Sequence, residues 1–138
     1  MDPKIIELTR MDPRYTYEAY DFVRDAVSFT QERLGRIADA ESEPAETCHV
    51  SGGELLRGAC ALAAREFGMM APIVFKMWGI HCTDDFGKMV FNLISVDQLS
   101  KSDRDDPDDF HKVFDLEQVL AEEFEMSLAD ASSRRGER

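Results

Sequence analysis

Apolar positions along this chain recur at helical spacing. Between Thr16 and Gly35, a step of about 100° per residue gathers Tyr20, Phe22, Val23, Ala26, Val27, Phe29 and Leu34 on one half of a cylinder. Asp21, Arg24, Asp25, Ser28 and Glu32 fall on the other half. Thr16 can cap the start of this helix, and Gly35 suits the left-handed residue beyond its end. A second pattern starts at Phe86 and continues through Met89, Val90, Leu93 and Ile94, at offsets of three, four, seven and eight. The same run is rich in branched side chains, so a strand over residues 89–96, and with it an α+β fold, is the competing expectation. On the helical reading Phe91 projects opposite the apolar stripe, which makes it a candidate contact for a partner.

Local start and stop signals supply the remaining elements. Ser51 and Glu54 have the spacing of a capping box, with Val50 and Leu55 placed for a hydrophobic staple. The helix expected from Glu54 to Phe67 carries Gly58, Ala59, Ala61, Ala63 and Ala64, small residues that let a neighbouring helix approach its axis. Pro72 can open a short helix to Trp78 that stops at Gly79. With Lys76 as its only charge, that helix is expected to be the central buried element. Asp115 and Gln118 mark the start of a helix from Leu116 to about Phe124, and "MDPKIIEL" forms a short one at the N-terminus. Ala38 to Thr47, which lacks periodicity and contains Pro44, reads as a solvated loop. The expected architecture is mainly α: one compact domain of five or six helices over residues 1–125, followed by a flexible polar tail over 126–138.

Charge narrows the partners. The 28 acidic and 16 basic residues of this 138-residue chain leave a formal net charge of -12. Such a field repels nucleic-acid phosphates, so DNA or RNA binding is disfavoured. The longest apolar run, "MMAPIVFKMWGI", is twelve residues interrupted by Lys76, short of the ~20 that span a bilayer. The start of the chain lacks the pattern of a signal peptide. A cytoplasmic protein without a membrane partner is the expectation.

Candidate chemistry concentrates in "WGIHCTDDFGKMVFNLI". Cys48-His49 and His81-Cys82 are the best metal candidates by residue type, since zinc prefers these ligands. Adjacent side chains diverge, however, and neither pair has the usual ligand spacing, so no metal or other cofactor is expected. The five Asp between Asp103 and Asp109 place Pro107, Asp108 and Phe114 at positions 5, 6 and 12 of a calcium loop, where oxygen ligands and a glycine are required. No nucleophile elbow, phosphate-cradling loop or dinucleotide fingerprint is present. Thr83, Asp84 and Asp85 read as a helix cap with two acids in the first turn.

The ordered set "YTYEAYDFV", "HVSGGELLRG", "EFGMMAPIVFKMWGI", "TDDFGKMVFNLI" and "DDFHKVFDL" resembles an uncharacterised protein family largely restricted to Planctomycetes and Verrucomicrobia. The resemblance runs from about Tyr15 to Leu120. It departs from that family where a Gly-Leu ending gives way to Asp97-Gln98-Leu99. It implies a single domain and brings no assigned activity, cofactor or catalytic residue.

The functional expectation is therefore a protein–protein interaction or regulatory domain without intrinsic catalysis, acting on an unidentified protein partner or through self-association. One rival is a small metal protein or enzyme in which His49, His81, Cys82 and Asp85 converge. The other is a helix-turn-helix DNA binder around Pro72 and Thr83, for which Lys76 and Lys88 are the main cationic candidates.

Overall fold

Capping chemistry sets most of the helix boundaries. The computed structural model describes residues 2–35, 50–99 and 107–136, with side chains as far as Ala129. These residues form α1 (Pro3–Met11), α2 (Tyr17–Arg33), α3 (Gly52–Phe67), a 3-10 turn (Gly68–Met70), α4 (Ala71–Met77), α5 (Thr83–Ser95), a second 3-10 turn (Pro107–Phe110) and α6 (Leu116–Gly136). The Asp2 carboxylate accepts from the Lys4 amide at 2.9 Å, and the Thr16 hydroxyl accepts from the Ala19 amide at 3.2 Å. Both halves of the Ser51–Glu54 box are made, at 3.0 and 3.1 Å. Asp115 accepts from the Glu117 and Gln118 amides, while the Gln118 side chain donates to Glu122 rather than closing a box.

The mainly α expectation holds, and residues 89–96 are not a strand: α5 continues unbroken through Ser95. Its stripe of Phe86, Met89, Val90 and Leu93 is buried, and a helix is the only regular element that puts those four on one side. The Leu116 helix runs past Phe124 to Gly136. No glycine or proline interrupts 117–135, so nothing local stops it earlier. The expected loop from Ala38 to Thr47 and most of the acidic run after Ser100 lie outside the described residues.

Two expectations change. The short helix opened by Pro72 is peripheral, not central. In α4 Ala71 and Phe75 are buried, whereas Ile73 is 50% and Met77 74% exposed. Low charge along a segment does not distinguish burial from an uncovered apolar face. In addition, Gly52–Met77 reaches the length and apolarity of a membrane-crossing helix, further than the twelve-residue run implied. Within this fold α3 spends that apolarity on the core, where Leu55, Leu56, Ala59, Leu62 and Ala63 are buried.

Helix α3 packs most extensively against α2 on one side and α6 on the other. Gly58 permits the first of these contacts: a Cβ there would stand 1.8 Å from the Thr30 hydroxyl and 2.9 Å from the Thr30 Cβ. Thr30 is itself buried, and its hydroxyl turns back to donate to the Ala26 carbonyl at 2.7 Å. Phe110 provides another anchor. Its ring and Cβ fill a slot left by Gly52 and Gly87, where a Cβ at either glycine would lie within 3.2 Å. Phe22, Phe67, Phe75, Trp78 and Phe86 form a chain of ring contacts with centroids 5.4–6.2 Å apart, joining α2, α3, α4 and α5.

Replacing Gly58 by Ala sets two effects against each other. Helix propensity favours Ala by about 1 kcal/mol, but overpacking a tight helix contact costs about 1–3 kcal/mol. The contact with the Thr30 side chain puts this site at the upper end, so Gly58→Ala is expected to destabilise the fold by about 2 kcal/mol in chemical denaturation. Adding Thr30→Ala should recover part of that loss; a double variant no better than the single one would show that the clash is not the cause.

Candidate functional site

The sequence singled out Trp78–Ile94 for its His, Cys and paired Asp, and the structure gives each a definite place. Helix α4 ends with Gly79 at φ 91°, where the Gly79 amide donates to Lys76 and the Ile80 amide donates to Phe75. This arrangement needs a left-handed residue. The position also excludes a side chain, because a Cβ would lie 1.8 Å from the Arg14 carbonyl oxygen. The turn before α2 thus docks directly on the α4–α5 turn, and the Thr16 amide donates to the Trp78 carbonyl at 3.3 Å.

Helix α5 starts one residue earlier than the sequence implied. Cys82, not Thr83, is the N-cap, and Thr83 is the first helical residue. The cap is completed from the third helical position, since the Asp85 carboxylate accepts from the His81 amide at 2.8 Å and the Cys82 amide at 3.2 Å. Its other oxygen accepts from the buried Tyr15 hydroxyl at 2.5 Å. The Cys82 thiol also faces the first oxygen, at 3.6 Å. Thr83 and Asp84 serve a different purpose. The Thr83 hydroxyl accepts from the Val113 amide at 3.1 Å, and Asp84 accepts from the Lys112 amide at 2.9 Å. His111 Nδ1 lies 2.6 Å from the same Asp84 carboxylate. One acid of the pair points inward and the other fastens the segment before α6.

The inward acid belongs to a longer polar network. The Tyr15 ring meets that of Tyr20 edge-on with centroids 6.1 Å apart. Asn92 donates to the Tyr20 hydroxyl at 3.0 Å and to Asp12 at 3.3 Å. Asp12 is gripped by the Arg14 guanidinium through two bonds of 2.7 Å. Tyr15, Tyr20, Asn92 and Asp12 were not among the candidates, and no local pattern marks them: Tyr15 meets Asp85 across 70 residues of chain.

Electrostatics follow from these contacts. Burial alone works to raise the Asp85 pKa, yet the Tyr15 hydroxyl and the two backbone donors outweigh it and hold the carboxyl below its ordinary value of 3.8. Burial, followed by the bond to Asp85, pushes Tyr15 well above 10.0. Burial likewise raises Tyr20, and it drives the Cys60 thiol up to about 12. Asp85 is an ionised acceptor with both oxygens engaged, and Tyr15 is its protonated donor. Such a pair orders a turn; neither member is poised to exchange a proton at neutral pH.

The metal candidates do not converge among the described residues. Cys48 and His49 lie outside them, and no group of three His, Cys, Asp or Glu side chains within them is arranged to hold an ion. His81 and Cys82 are exposed, and Cys82 is a free thiol. An open groove of about 570 Å³ lies elsewhere, lined by Thr30, Leu34, Arg57, Val113, Phe114 and Glu123 among others. The Arg57 guanidinium sits 4.8 Å from the Phe114 ring centroid. His81, Cys82 and Asp85 do not line that groove. In α5, Lys88 is the only basic residue, and Lys76 of α4 is paired with Glu117 at 2.8 Å.

The interaction candidate Phe91 is half-buried and packs against the core. Four large apolar side chains on the 3-10 turn and α4 are more exposed than Phe91. Met69 and Met77 are each 74% exposed, Met70 51% and Ile73 50%. No protein-family profile, curated protein or solved structure matches this chain.

The Tyr15–Asp85 bond joins two segments, so Tyr15→Phe is expected to cost about 1.5–3 kcal/mol, the range for a hydrogen bond to a charged group. The cost should appear in denaturation at neutral pH. A variant as stable as the parent would remove the bond from the stability argument.

The two shifts also predict the pH profile. The depressed Asp85 contributes stability that is present above the unfolded carboxyl value and lost as pH falls through its lower folded value. The raised Tyr15 and Tyr20 contribute stability that is present below pH 10.0 and lost as pH rises beyond it. Tyr15→Phe should therefore flatten the alkaline fall in thermal stability without abolishing it. An unchanged alkaline limb would contradict the assignment.

Proposed function

We propose that this protein works as an interaction domain whose docking face is formed by Met69, Met70, Ile73 and Met77. The observation that carries this reading is their exposure, between 50% and 74%, as four large apolar side chains on successive turns. Isolated apolar residues on a surface need no explanation, but a contiguous group of this size does. Methionine is suited to the purpose. Its unbranched, polarizable side chain adapts to different partner shapes at little cost. The residues beneath support the face: Phe75, between Ile73 and Met77, is buried among the core rings. The polar network at Asp85 belongs on this reading to the scaffold, which keeps α4 and α5 in place. The exposed His81 and Cys82 are at its edge and carry no assigned chemistry.

The test is comparative enrichment from extracts of the organism of origin, using the full chain and a variant with Ser at positions 69, 70, 73 and 77. Because these side chains are exposed, the variant is expected to keep its helicity and melt within a few degrees of the parent. Proteins retained by the parent should be lost by the variant. If the two chains retain the same proteins, or if the parent retains none specifically, the docking face is not the functional surface.

A further inference from the structure

We infer that the occupant of this face is a cationic amphipathic helix, an inference that rests on the interaction reading above and names the chemistry of its partner. The first observation is the setting of the apolar residues. Helix α6 lies alongside Gly68–Met77 and runs antiparallel to it. Glu117 pairs with Lys76 at one end, and at the other the Phe124 ring lies 3.4 Å from where a Cβ on Gly68 would be. Over residues 116–129 every charged side chain of α6 is acidic: Glu117, Glu122, Glu123 and Glu125. The one cation in α4, Lys76, is already matched by Glu117. At the end of α3, the exposed Arg65 and Glu66 offset each other in charge. Glu117 is matched by Lys76 and Glu123 shares its groove with Arg57. That leaves Glu122 and Glu125 as the acids of α6 over residues 116–129 without a cation opposite them among the described residues, on the helix that lies alongside the apolar face.

The second observation is global. Each copy carries a formal net charge of -12, so two acidic faces brought together repel, and self-association through this surface is opposed. A partner with apolar anchors on one face and Lys or Arg beside them meets both features at once. Geometry sets its length. Met69 to Met77 is eight residue steps, about 12 Å at helical rise. Apolar anchors at i, i+4 and i+7 on the partner cover that distance in two turns, the spacing of a helix laid along a groove or face.

The test uses the full chain with its methionine methyl groups isotopically labelled, and two synthetic peptides of about 16 residues. One has Leu at i, i+4, i+7 and i+11 with Lys elsewhere; the other replaces each Lys by Glu. The cationic peptide should shift the methyl signals of Met69, Met70 and Met77. Met89, fully buried, and Met11, on α1, should stay in place. Affinity should fall as salt rises from about 0.1 M to about 1 M, where the Debye length shrinks from about 10 to 3 Å. Replacing Ile73 and Met77 together by Gln should weaken binding at least ~10-fold, the effect expected when central anchors are removed.

Equal binding of the acidic peptide would overturn the inference, as would shifts confined to other methionines. Shifts that appear with protein concentration alone, in step with a dimer in sedimentation, would assign the face to a second copy. Shifts produced by phospholipid vesicles and by neither peptide would assign it to a lipid surface. If the cationic peptide fails while the serine variant still loses its cellular partners, the interaction reading stands and the cationic partner falls. If both fail, the face has no docking role.

Discussion

A single carboxylate organises the join between the turn before α2 and the start of α5. Asp85 lies in the first turn of α5, nearly buried, with one oxygen on the Tyr15 hydroxyl and the other on the His81 and Cys82 amides. An unpartnered buried charge would cost several kcal/mol. Three donors from two distant segments remove that penalty and, in the same step, hold the turn before α2 against the turn before α5. The close approach of Gly79 to the Arg14 carbonyl depends on this docking. So does the edge-on contact of Tyr15 with Tyr20, through which the network extends to Asn92 and Asp12. Helix α4 is suspended between these anchors. It covers the core with Phe75 and leaves Ile73 and Met77 outside.

The adjacent acid shows how one sequence step changes a role. Asp84 and Asp85 are both in the favourable first turn, where a carboxylate meets the positive end of the helix. Their side chains diverge by the helical rotation, so Asp85 points under the helix while Asp84 points outward and captures Lys112 and His111. Thr83 joins Asp84 in fastening Val113. Together with Phe110 in the slot between Gly52 and Gly87, these bonds seat the segment that leads into α6. Asp84 and Asp85 form a two-sided fastening, each committed to a neighbouring chain segment, while the His81 and Cys82 side chains stay exposed.

The exposed apolar face of α4 arises from the same packing. Beyond α6, which lies along α4 and pairs Glu117 with Lys76, no further element among the described residues covers Met69, Met70, Ile73 and Met77. Their exposure is a consequence of how few elements reach that side. The near absence of charge in α4 suggests a central helix, yet the packing leaves it at the periphery, while α5 is buried along its stripe and Phe91 is half-buried against the core.

Helix α2 with its Thr16 cap, the Ser51–Glu54 box, the stop at Gly79 and the stripe from Phe86 to Leu93 were all legible from residues a few positions apart. Caps and periodicity are local physics, decided within one or two turns of backbone. Asp97 shows the limit of that reading. It holds a left-handed φ of 60°, and the Asp97 and Gln98 amides close the end of α5 onto Ile94 and Leu93. Which side of α4 would be covered, that Asp85 would meet Tyr15, and that Thr30 would fit against Gly58 had no local signal. Each depends on where a segment tens of residues away comes to rest, and that placement is settled by the burial and hydrogen bonding of the whole chain together.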